Sequence, residues 1–533
     1  LTSAMTAHKN EVSEELEGFS TQLADITIVT PEMFGCIADG ETDNTNAFRD
    51  MFNNVSGNVT IFLNGNYVIS EQINVSDKPN LTICGGGTLK NIEPTGNRGL
   101  KFSRCADLTI RDITIDGRQI TRIGLSFTDC IRMTLDNIHV KDIGNANFSM
   151  STCGFEIIGN CSYSNITNCV VQNINAATNA TGISISMRYG ENEEPIYSKY
   201  ISIINCKVED IIPEVDGDGI KVLQLNLETH FIIDSCVFIN CAKRGIKIQG
   251  LYCKVNNCKI LGKSVYAAID FQNGKAKLTN TEMITTGTYI ILSFGGGDNE
   301  VENVTIESAD GFETVSNCIR CSGFNTDLDK KWGYLSFRNV RVKNVRNLLD
   351  VGKIDDYTFN EIDSLTLENV DVNGIWSSYL IFLNEVSLSK LKLHDIRLKT
   401  DNTYYGLIGG MPEQAIDDVF IDNSTDTIMF SAESLLLFKN AKTCYVNTNY
   451  KAGAYEIPYT IYTGGRKVFY WNQIPSGTSG GRISIYKSSQ VGDICMNTNP
   501  TVSNGSFIKE WVCIEEPSET NQYGVWAPVT ISV

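Results

Sequence analysis

One two-residue pattern recurs along most of the chain and limits the folds available to it. A short polar residue, usually Asn, precedes a residue of the buried type, and alternating strand-like sequences such as LTIRDITIDG surround each occurrence. Successive occurrences are 22 to 37 residues apart. The shortest steps fit one bare coil of a three-strand solenoid, and the longer steps fit the same coil with an inserted loop. The occurrences are Asp112-Ile113, Asn137-Ile138, Asn168-Cys169, Asn205-Cys206, Ser235-Cys236, Asn257-Cys258, Asn280-Thr281, Asn303-Val304, Asn339-Val340 and Asn369-Val370.

A second column of apolar residues advances together with the first, each member following Gly or Ala. Its members are Leu125, Phe155, Ile183, Ile220, Ile246 and Ile269. Two columns in one register predict an all-β fold, a single-stranded right-handed parallel β-helix over residues 71–450, with coils stacked at ~4.8 Å. Cys169, Cys206, Cys236 and Cys258 would then form an inward ladder of reduced thiols, which indicates synthesis in a reducing cytoplasm.

Residues 1–25 have the spacing of a helical, coiled-coil neck. Apolar residues recur every seven positions in two series, and only Lys9 breaks the pattern. The two series are Met5, Val12, Phe19 and Lys9, Leu16, Leu23. Because three heptads are too short for a stable isolated helix, the pattern favours a parallel oligomeric neck. The alternative is a helix that lies on its own domain.

The strings TPEMFGCIADGETDNTNAFRDMF and VTIFLNGNYVIS, between residues 30 and 70, carry the most specific signal. They combine a Phe-Gly pair, a turn at Asp39-Gly40, and a short helix. Asp43, Asn44 or Thr45 can cap that helix, and Phe48, Met51 and Phe52 form its apolar face. This segment resembles the opening motif of bacteriophage tailspikes and other pectate-lyase-like proteins, with Asn64 where the family usually has Pro.

With the coils, the resemblance covers about residues 31–400. It implies that residues 26–70 form a capping segment and first coil, with the helix closing the exposed end of the solenoid. Residues 451–533 are aromatic, Gly-rich and non-repetitive, and their last part resembles the small β-rich terminal module of some tailspike-like proteins. There, Trp471, Trp511 and Trp526 either pack the module or stack on sugars. Tailspike resemblance and the heptads together predict a homotrimer.

Stacking the second column predicts where ionisable groups converge. The residue after each column member falls on the outer face: Ser126, Glu156, Ser184, Lys221, Lys247 and Asp270. Two positions before the column lie Thr181, Asp218, Arg244 and Ala267, and Asp216 lies two before Asp218. Acids, a guanidinium and two ammonium groups would thus meet within three coils. The alternative is a solvated ladder with an Asp218–Arg244 ion pair. The inserted loop at 188–200 would wall the same groove and offer Tyr189 and Tyr197 to sugars.

Two glycan-cleaving chemistries fit this cluster. In hydrolysis one carboxyl protonates the glycosidic oxygen and another activates water or attacks, and the available carboxyls are Asp216, Asp218, Asp270 and Glu156. In β-elimination a basic side chain removes the proton next to a uronate, and Arg244, Lys247 and Lys221 are available for that role or for substrate binding. Hydrolysis is favoured because the acids are close together. The strings DGDGIKV (216–222), KRGIKIQG (243–250) and AAIDFQNG (267–274) loosely resemble those of β-helical polysaccharide hydrolases. That family's paired aspartates and Gly-His-Gly string are missing here.

We therefore expect a tailspike-like virion protein that binds and cleaves a bacterial surface polysaccharide and acts outside the cell. The alternatives are a non-catalytic glycan-binding tail fibre or adhesin, and a secreted bacterial polysaccharide lyase or hydrolase. Its partners would be the glycan, two further copies of the chain and other phage tail proteins at the N-terminus. A net charge of −18 argues against nucleic-acid binding, and no apolar run is long enough for a membrane span. Four histidines predict no metal site and no cofactor, with Ca²⁺ expected only for a lyase.

Overall fold

The fold was analysed in a computed structural model of the chain. It divides into two compact units, residues 1–247 and 248–533, which are described separately below. The described residues are 27–56, 58–91, 98–147, 149–225, 227–287, 290–310, 317–321, 331–345, 347–352, 361–373, 379–384, 387–399, 406–409, 416–427, 443–452, 455–462, 467–471, 493–497, 506–516 and 525–532.

The first unit consists almost entirely of short parallel strands and contains one α-helix, α1 (Thr45–Asn54), in its described part. Its strands are β1 (Thr27–Val29), β2 (Asp39–Asp43), β3 (Val59–Phe62), β4 (Asn66–Ile69), β5 (Ile73–Ser76), β6 (Thr82–Cys84), β7 (Thr88–Asn91), β8 (Arg98–Ser103), β9 (Thr109–Asp116), β10 (Ile123–Thr128), β11 (Thr134–Ile143), β12 (Thr152–Ile158), β13 (Asn165–Thr167), β14 (Val170–Ala176), β15 (Asn179–Ser186), β16 (Arg188–Tyr189), β17 (Pro195–Ile196), β18 (Ser202–Ile204), β19 (Lys207–Pro213), β20 (Asp216–Leu223), β21 (Ile232–Asp234), β22 (Val237–Cys241) and β23 (Arg244–Ile248).

Each coil of the first unit contributes one strand to a parallel sheet, here called the site sheet, made of β5, β8, β10, β12, β15, β20 and β23 in that order. Leu125 pairs with Phe155, Phe155 with Ile183, and Ile183 with Ile220, and all four are fully buried. The predicted second column and its register are therefore confirmed here. A parallel β-helix results because each strand pairs with its counterpart one coil away.

The Asn signature marks a sharp turn outside the site sheet, between two short strands as at Asn168 or within one longer strand as at Asn137. All ten of its polar residues have φ between +50° and +56°, a left-handed conformation that Asn and Asp tolerate better than most residues. Their side chains also bond along the axis: the Asn205 amide donates to Oδ1 of Asn168 at 2.7 Å, and Asn137 donates to Oδ1 of Asp112 at 2.8 Å. The repeat is polar for these two reasons, and the following residue is buried because the chain then turns inward.

The predicted cysteine ladder is confirmed in the first unit, where Cys169, Cys206 and Cys236 are buried and form no disulfide. Their thiols face backbone carbonyls of the preceding coil, as Cys206 Sγ does at 3.5 Å from the Ile166 oxygen. A second column, which the sequence analysis did not identify, stacks Cys105, Cys130 and Cys161. None of the fifteen cysteines whose side chains the structure describes forms a disulfide.

The helix α1 packs its predicted apolar face against the first coil, whereas its role in closing the end of the solenoid stays a prediction. Phe48, Met51 and Phe52 are buried, and the ring of Phe48 packs edge-on against Tyr67 at 5.5 Å. The cap differs from a simple Asn cap: Asn44 holds the N-cap position, but its amide bonds Ile37 and Thr42. Asp43 instead accepts a hydrogen bond from the backbone N–H of Thr45 at 3.0 Å.

The second unit repeats the same architecture in its first part. Its strands are β24 (Lys254–Asn256), β25 (Lys259–Lys263), β26 (Ala267–Phe271), β27 (Ala276–Thr279), β28 (Glu282–Thr286), β29 (Ile290–Phe294), β30 (Asn299–Ser308), β31 (Asn317–Cys321), β32 (Lys331–Lys343), β33 (Leu349–Gly352), β34 (Glu361–Asn373), β35 (Tyr379–Asn384), β36 (Ser387–Lys399), β37 (Gly406–Gly409), β38 (Asp418–Thr427), β39 (Thr443–Ala452), β40 (Tyr455–Tyr462), β41 (Lys467–Trp471), β42 (Ile494–Asn497), β43 (Ser506–Glu515) and β44 (Val525–Ser532). Val304, Val340 and Val370 pair in register, and Asn303, Asn339 and Asn369 form an amide ladder. Cys258 is buried there and forms no disulfide.

The described strands near the C-terminus change to mainly antiparallel pairing, as in β39–β40, β40–β41 and β43–β44. This agrees with a β-rich C-terminal segment, whereas its separation into a domain at residue 451 stays a prediction. Trp511 and Trp526 are buried, so packing rather than sugar stacking is their role. The predicted neck lies in residues 1–25, outside the described residues, and the right-handed winding also stays a prediction.

Candidate functional site

A column of glycines runs through the site-sheet strands next to the predicted cluster. A Cβ at Gly182 would lie 2.5 Å from the carbonyl oxygen of Gly219 and 2.6 Å from Cγ1 of Val208. A Cβ at Gly219 would likewise lie 2.9 Å from Sγ of Cys241, a buried residue. Gly219 therefore faces the core, as the buried Ile220 does.

Two consecutive inward positions break the usual alternation of a strand. At this bend, Asp218 and Lys221, on either side of Gly219 and Ile220, consequently lie on the opposite face of the strand, where Arg244 binds the enclosed Asp218. The sequence analysis noted the glycines but not their consequence. The bend is what brings an acid and a lysine of one strand to the same side of the sheet.

Arg244 on β23 binds both predicted aspartates of β20. Its Nη1 donates to Oδ1 of Asp216 at 2.8 Å and to Oδ1 of Asp218 at 3.1 Å. The Asp218 side chain has no solvent-exposed surface, Arg244 is 10% exposed and Asp216 is 31% exposed. Within the described residues, Oδ2 of Asp218 is buried and has no hydrogen-bond partner. The predicted Asp218–Arg244 ion pair is thus present, and it is shared with Asp216.

The two carboxyls of this site titrate in opposite directions. Burial raises the pKa of Asp218 to about 6, with the negative charge of Asp216 adding to the rise and Arg244 opposing it. Burial also acts on Asp216, but the charge and hydrogen bond of Arg244 outweigh it and lower the pKa of that carboxyl. Near neutral pH, one carboxyl is therefore partly protonated while its neighbour is a carboxylate.

The two predicted lysines belong to the same electrostatic group. Lys221 and Lys247 both act on the carboxyls of Asp216 and Asp218 and lower their pKa values. Burial and then the positive charge of Arg244 lower the pKa of Lys247. The cluster that the first unit brings together is thus Asp216, Asp218, Lys221, Arg244 and Lys247, hereafter the acid–base cluster.

Glu156 lies on the predicted outer column but away from the acid–base cluster. It pairs with Ser126 on one side and Ser184 on the other, two coils and roughly 10 Å before Lys221 in register. Oγ of Ser126 donates to its carboxylate at 2.7 Å. Ser126 lies in the predicted column with Glu156, but it is fully buried beneath that carboxylate.

Asp270 belongs to β26 of the second unit and is fully buried. Its Oδ2 accepts a hydrogen bond from Nε2 of Gln272 at 2.8 Å. Asp270 was expected on the outer face, but it is enclosed, as is every residue of β26. Its proposed catalytic role stays a prediction.

The inserted loop forms a two-stranded antiparallel hairpin, β16–β17, directly after site-sheet strand β15. Arg188 fastens it to the coil through an ion pair with Asp129 at 2.8 Å. Tyr189 is 61% exposed at its base, and the Tyr197 ring lies 5.2 Å from Nζ of Lys199. The structure thus places Tyr189 in the hairpin and Tyr197 directly after it, within the predicted loop, and their contact with sugar stays a prediction.

The part of the chain that the structure describes contains no group of three or more His, Cys, Asp or Glu residues that could hold a metal ion. Cys318 and Cys321 have the CxxC spacing of some metal sites, which the sequence analysis overlooked. Burial raises the pKa of both thiols well above the usual range, which disfavours the thiolate a metal needs. No helix among the described residues has the length and apolar character to cross a membrane.

Residues 32–270 match the family model described as rhamnogalacturonase A/epimerase, pectate lyase-like. This region contains the opening motif, the stacked coils of the first unit and the acid–base cluster. The match confirms the resemblance seen at residues 30–70. Together with the parallel coils, it shows that residues 32–270 are similar to pectate-lyase-like parallel β-helix proteins.

The particular relatives include phage proteins. The capsule K30/K69-specific depolymerase of Klebsiella phage K64-1 is 33% identical over 121 residues, which are 20% of this chain and 15% of that protein. The alignment therefore spans a small part of the relative. Among solved structures, ORF18 of Geobacillus virus E2 is 14% identical with a TM-score of 0.45, over 98% of this chain and 89% of that chain. The Dettilon tailspike protein is 10% identical with a TM-score of 0.41, over 95% and 90%.

Proposed function

We propose that this protein is a bacteriophage tailspike that binds and cleaves a bacterial surface polysaccharide. The depolymerase relative supports the substrate class, and the family match over residues 32–270 supports a polysaccharide-active scaffold. The observation that carries the catalytic part is the Asp216–Arg244–Asp218 bridge. One guanidinium nitrogen joins two carboxyls whose pKa values move apart.

The first candidate reaction is hydrolysis of a glycosidic bond. Asp218, the carboxyl with the raised pKa, would donate its proton to the leaving glycosidic oxygen, and the ionised Asp216 would attack the anomeric carbon or activate water. Since both carboxyls bond to one nitrogen, their bonded oxygens are at most about 6 Å apart, closer to the ~5 Å of retaining enzymes than to the wider spacing of most inverting ones.

Asp218 is enclosed in this arrangement, so access to it depends on Arg244. An anionic group of the substrate would compete with the aspartates for the guanidinium. When the Arg244 guanidinium moves away from Asp218, it would expose the carboxyl that carries the proton. Lys221 and Lys247 would help to hold the same anion. This assigns Arg244, Lys221 and Lys247 to substrate binding.

The second candidate reaction is β-elimination, and the lowered pKa of Lys247 favours it. A lysine that loses its proton more readily can act as the base that removes the proton next to a uronate carboxyl. Arg244 would then neutralise that carboxylate. Calcium would be expected only in this case, as a cation bound by the uronate carboxylate.

Product analysis distinguishes these reactions from binding alone. The purified protein is incubated with a panel of capsular and O-antigen polysaccharides, and new reducing ends are counted while ultraviolet absorbance of unsaturated uronates is followed. Hydrolysis gives reducing ends without absorbance, whereas β-elimination gives both. Retention on a polysaccharide column with neither product would identify a non-catalytic tail fibre or adhesin. If the protein neither binds nor cleaves any polysaccharide of the panel, the proposal is contradicted.

The proposed location is the phage tail, with action outside the host cell. Immunogold labelling of the virion that encodes the chain tests this directly. A label on the tail tip is expected, and an unlabelled virion would favour a secreted bacterial enzyme.

A further inference from the structure

Three aromatic side chains of the first unit form an exposed stack along the coils. The ring centroids of Tyr163 and Tyr200 are 5.2 Å apart with an interplanar angle of 17°, and those of Tyr200 and His230 are 5.1 Å apart at 10°. Near-parallel rings at this spacing are offset, so each covers only part of its neighbour. Tyr163 is 62% exposed and Tyr200 is 47% exposed. A strip of aromatic surface, two coil steps or roughly 10 Å long, therefore faces solvent.

The turn that carries these residues does not itself require aromatic side chains. All three have φ between +53° and +58°, a region that bulky residues rarely adopt. The same turn in earlier coils has the same conformation and holds Asn80 and Asp107, with equivalent axial hydrogen bonds from their backbone N–H groups. The next coil holds Arg132 in the same conformation, so this turn accepts small and large polar residues and requires no aromatic ring. Its geometry therefore does not account for three consecutive rings, although the rings also stabilise one another by stacking.

The stack begins in the coil that precedes the inserted hairpin. Strand β15 leads into hairpin β16–β17, and the chain then returns through Lys199 to Tyr200. The backbone N–H of Tyr163 bonds the carbonyl oxygen of Lys199, so the stack is joined to the base of the hairpin. Site-sheet strand β20 carries Asp216 at its start and runs toward the turn of His230. The two aspartates of the acid–base cluster therefore lie toward the start of β20, whereas the stack lies in the turns that follow the site-sheet strands.

We propose that Tyr163, Tyr200 and His230 form a docking surface for pyranose rings of the polysaccharide, outside the site of bond cleavage. The inference rests on the proposed function. Sugar rings present C–H groups on one face and hydroxyls at the edge. Aromatic faces accept the C–H groups, while the tyrosine hydroxyls and the imidazole can exchange hydrogen bonds with the edge. A repetitive ligand suits a repetitive stack, because the rings are spaced by the coil step. The surface holds the chain that the acid–base cluster cuts.

Binding is tested in an Asp218→Asn background, so that the polysaccharide is not cleaved during the measurement. A printed array of capsular and O-antigen polysaccharides is the probe, and wild-type cleavage is measured on the same panel. In that background, Tyr200→Asn removes the central ring while placing at the turn the residue type found at Asn80. Tyr200→Phe keeps the ring. The matched control is Tyr445→Asn, which breaks the exposed Phe420–Tyr445 stack of the second unit.

The expected result is a three- to tenfold rise in Kd for Tyr200→Asn, about the value of one aromatic contact. Tyr200→Phe and Tyr445→Asn should stay within twofold of the background, with unchanged melting temperatures. Unaltered binding by Tyr200→Asn, on a glycan that the background protein binds, would overturn this inference and leave the proposed function standing. Equal weakening by Tyr445→Asn would also overturn it. Absence of both binding and cleavage for every glycan would overturn the proposed function and this inference together.

Discussion

At the residue scale, the opposed titration of Asp216 and Asp218 gives the first test of the acid–base cluster. Asp218→Asn removes the proton donor, and we expect turnover to fall by roughly 10²–10⁴-fold with little change in KM. Asp216→Asn should lower turnover as well. Lys221→Ala should mainly raise KM, because a binding cation is lost. Product release is measured with thermal melting as the folding control. Full turnover in both aspartate variants would move the active site elsewhere, for example to a cleft between subunits.

The raised pKa of Asp218 also makes a prediction about stability. Its folded pKa of about 6 exceeds the ordinary value of 3.8, so between these pH values the folded protein holds a proton that the unfolded chain has lost. The contribution of the Asp218 carboxyl to the free energy of unfolding is fully present below pH ~4 and is lost as the pH rises to about 6. Asn cannot titrate, so the melting temperature of the wild type relative to Asp218→Asn should fall over this window. A constant difference from pH 4 to 7 would contradict the assignment.

How much of this cluster the sequence could predict depends on what sets each position. Asp218 and Arg244 followed from the spacing of the apolar column, because register fixes neighbours in stacked coils. The burial of Asp218 and Asp270 did not follow, because burial depends on what covers a strand. The Tyr163–Tyr200–His230 stack was missed for another reason. Its members lie in turns of variable length, where the distance along the sequence carries no period.

At the element scale, the glycine column of the site sheet should be intolerant of any side chain. Gly182→Ala places a Cβ within 2.6 Å of both the Gly219 carbonyl and Val208, and overpacking of this kind costs about 1–3 kcal/mol. Ser184→Ala on the same strand β15 is the matched control, with an expected change within about 0.5 kcal/mol. Denaturant unfolding measures both. An equally stable Gly182→Ala would mean that the strand is not bent as described.

The cysteine columns give a second prediction at this scale. Stacked thiols in a dry core should stay reduced, so thiol titration of the denatured protein should find nearly all seventeen free. The native protein should react slowly, because the fifteen described side chains are buried. Several disulfides among Cys169, Cys206 and Cys236 would contradict the ladder. These columns were partly predictable because an inward position in a coil must be apolar and small, whatever its exact residue type.

At the scale of the whole molecule, we predict a homotrimer. The heptads of residues 1–25 and the tailspike resemblance are the two reasons. Light scattering should give three times the mass of the chain at micromolar concentration. Replacing Val12 and Phe19 by Asp, at two core positions of the neck, should lower the trimer fraction, whereas Asp at the off-core position Ser13 should not. A monomer in the unsubstituted protein would refute the prediction.

The hairpin β16–β17 is attached to its coil at both ends, yet its strands pair only with each other. The backbone ladder of the site sheet passes from β15 to β20 without it. A segment in this position can be lengthened, shortened or exchanged while the coils keep their register. Under the proposed function, selection for a new host can therefore act on the hairpin separately from selection for a stable fold. Exchange of this loop by recombination would then be one route by which a tailspike adapts to a changed capsule.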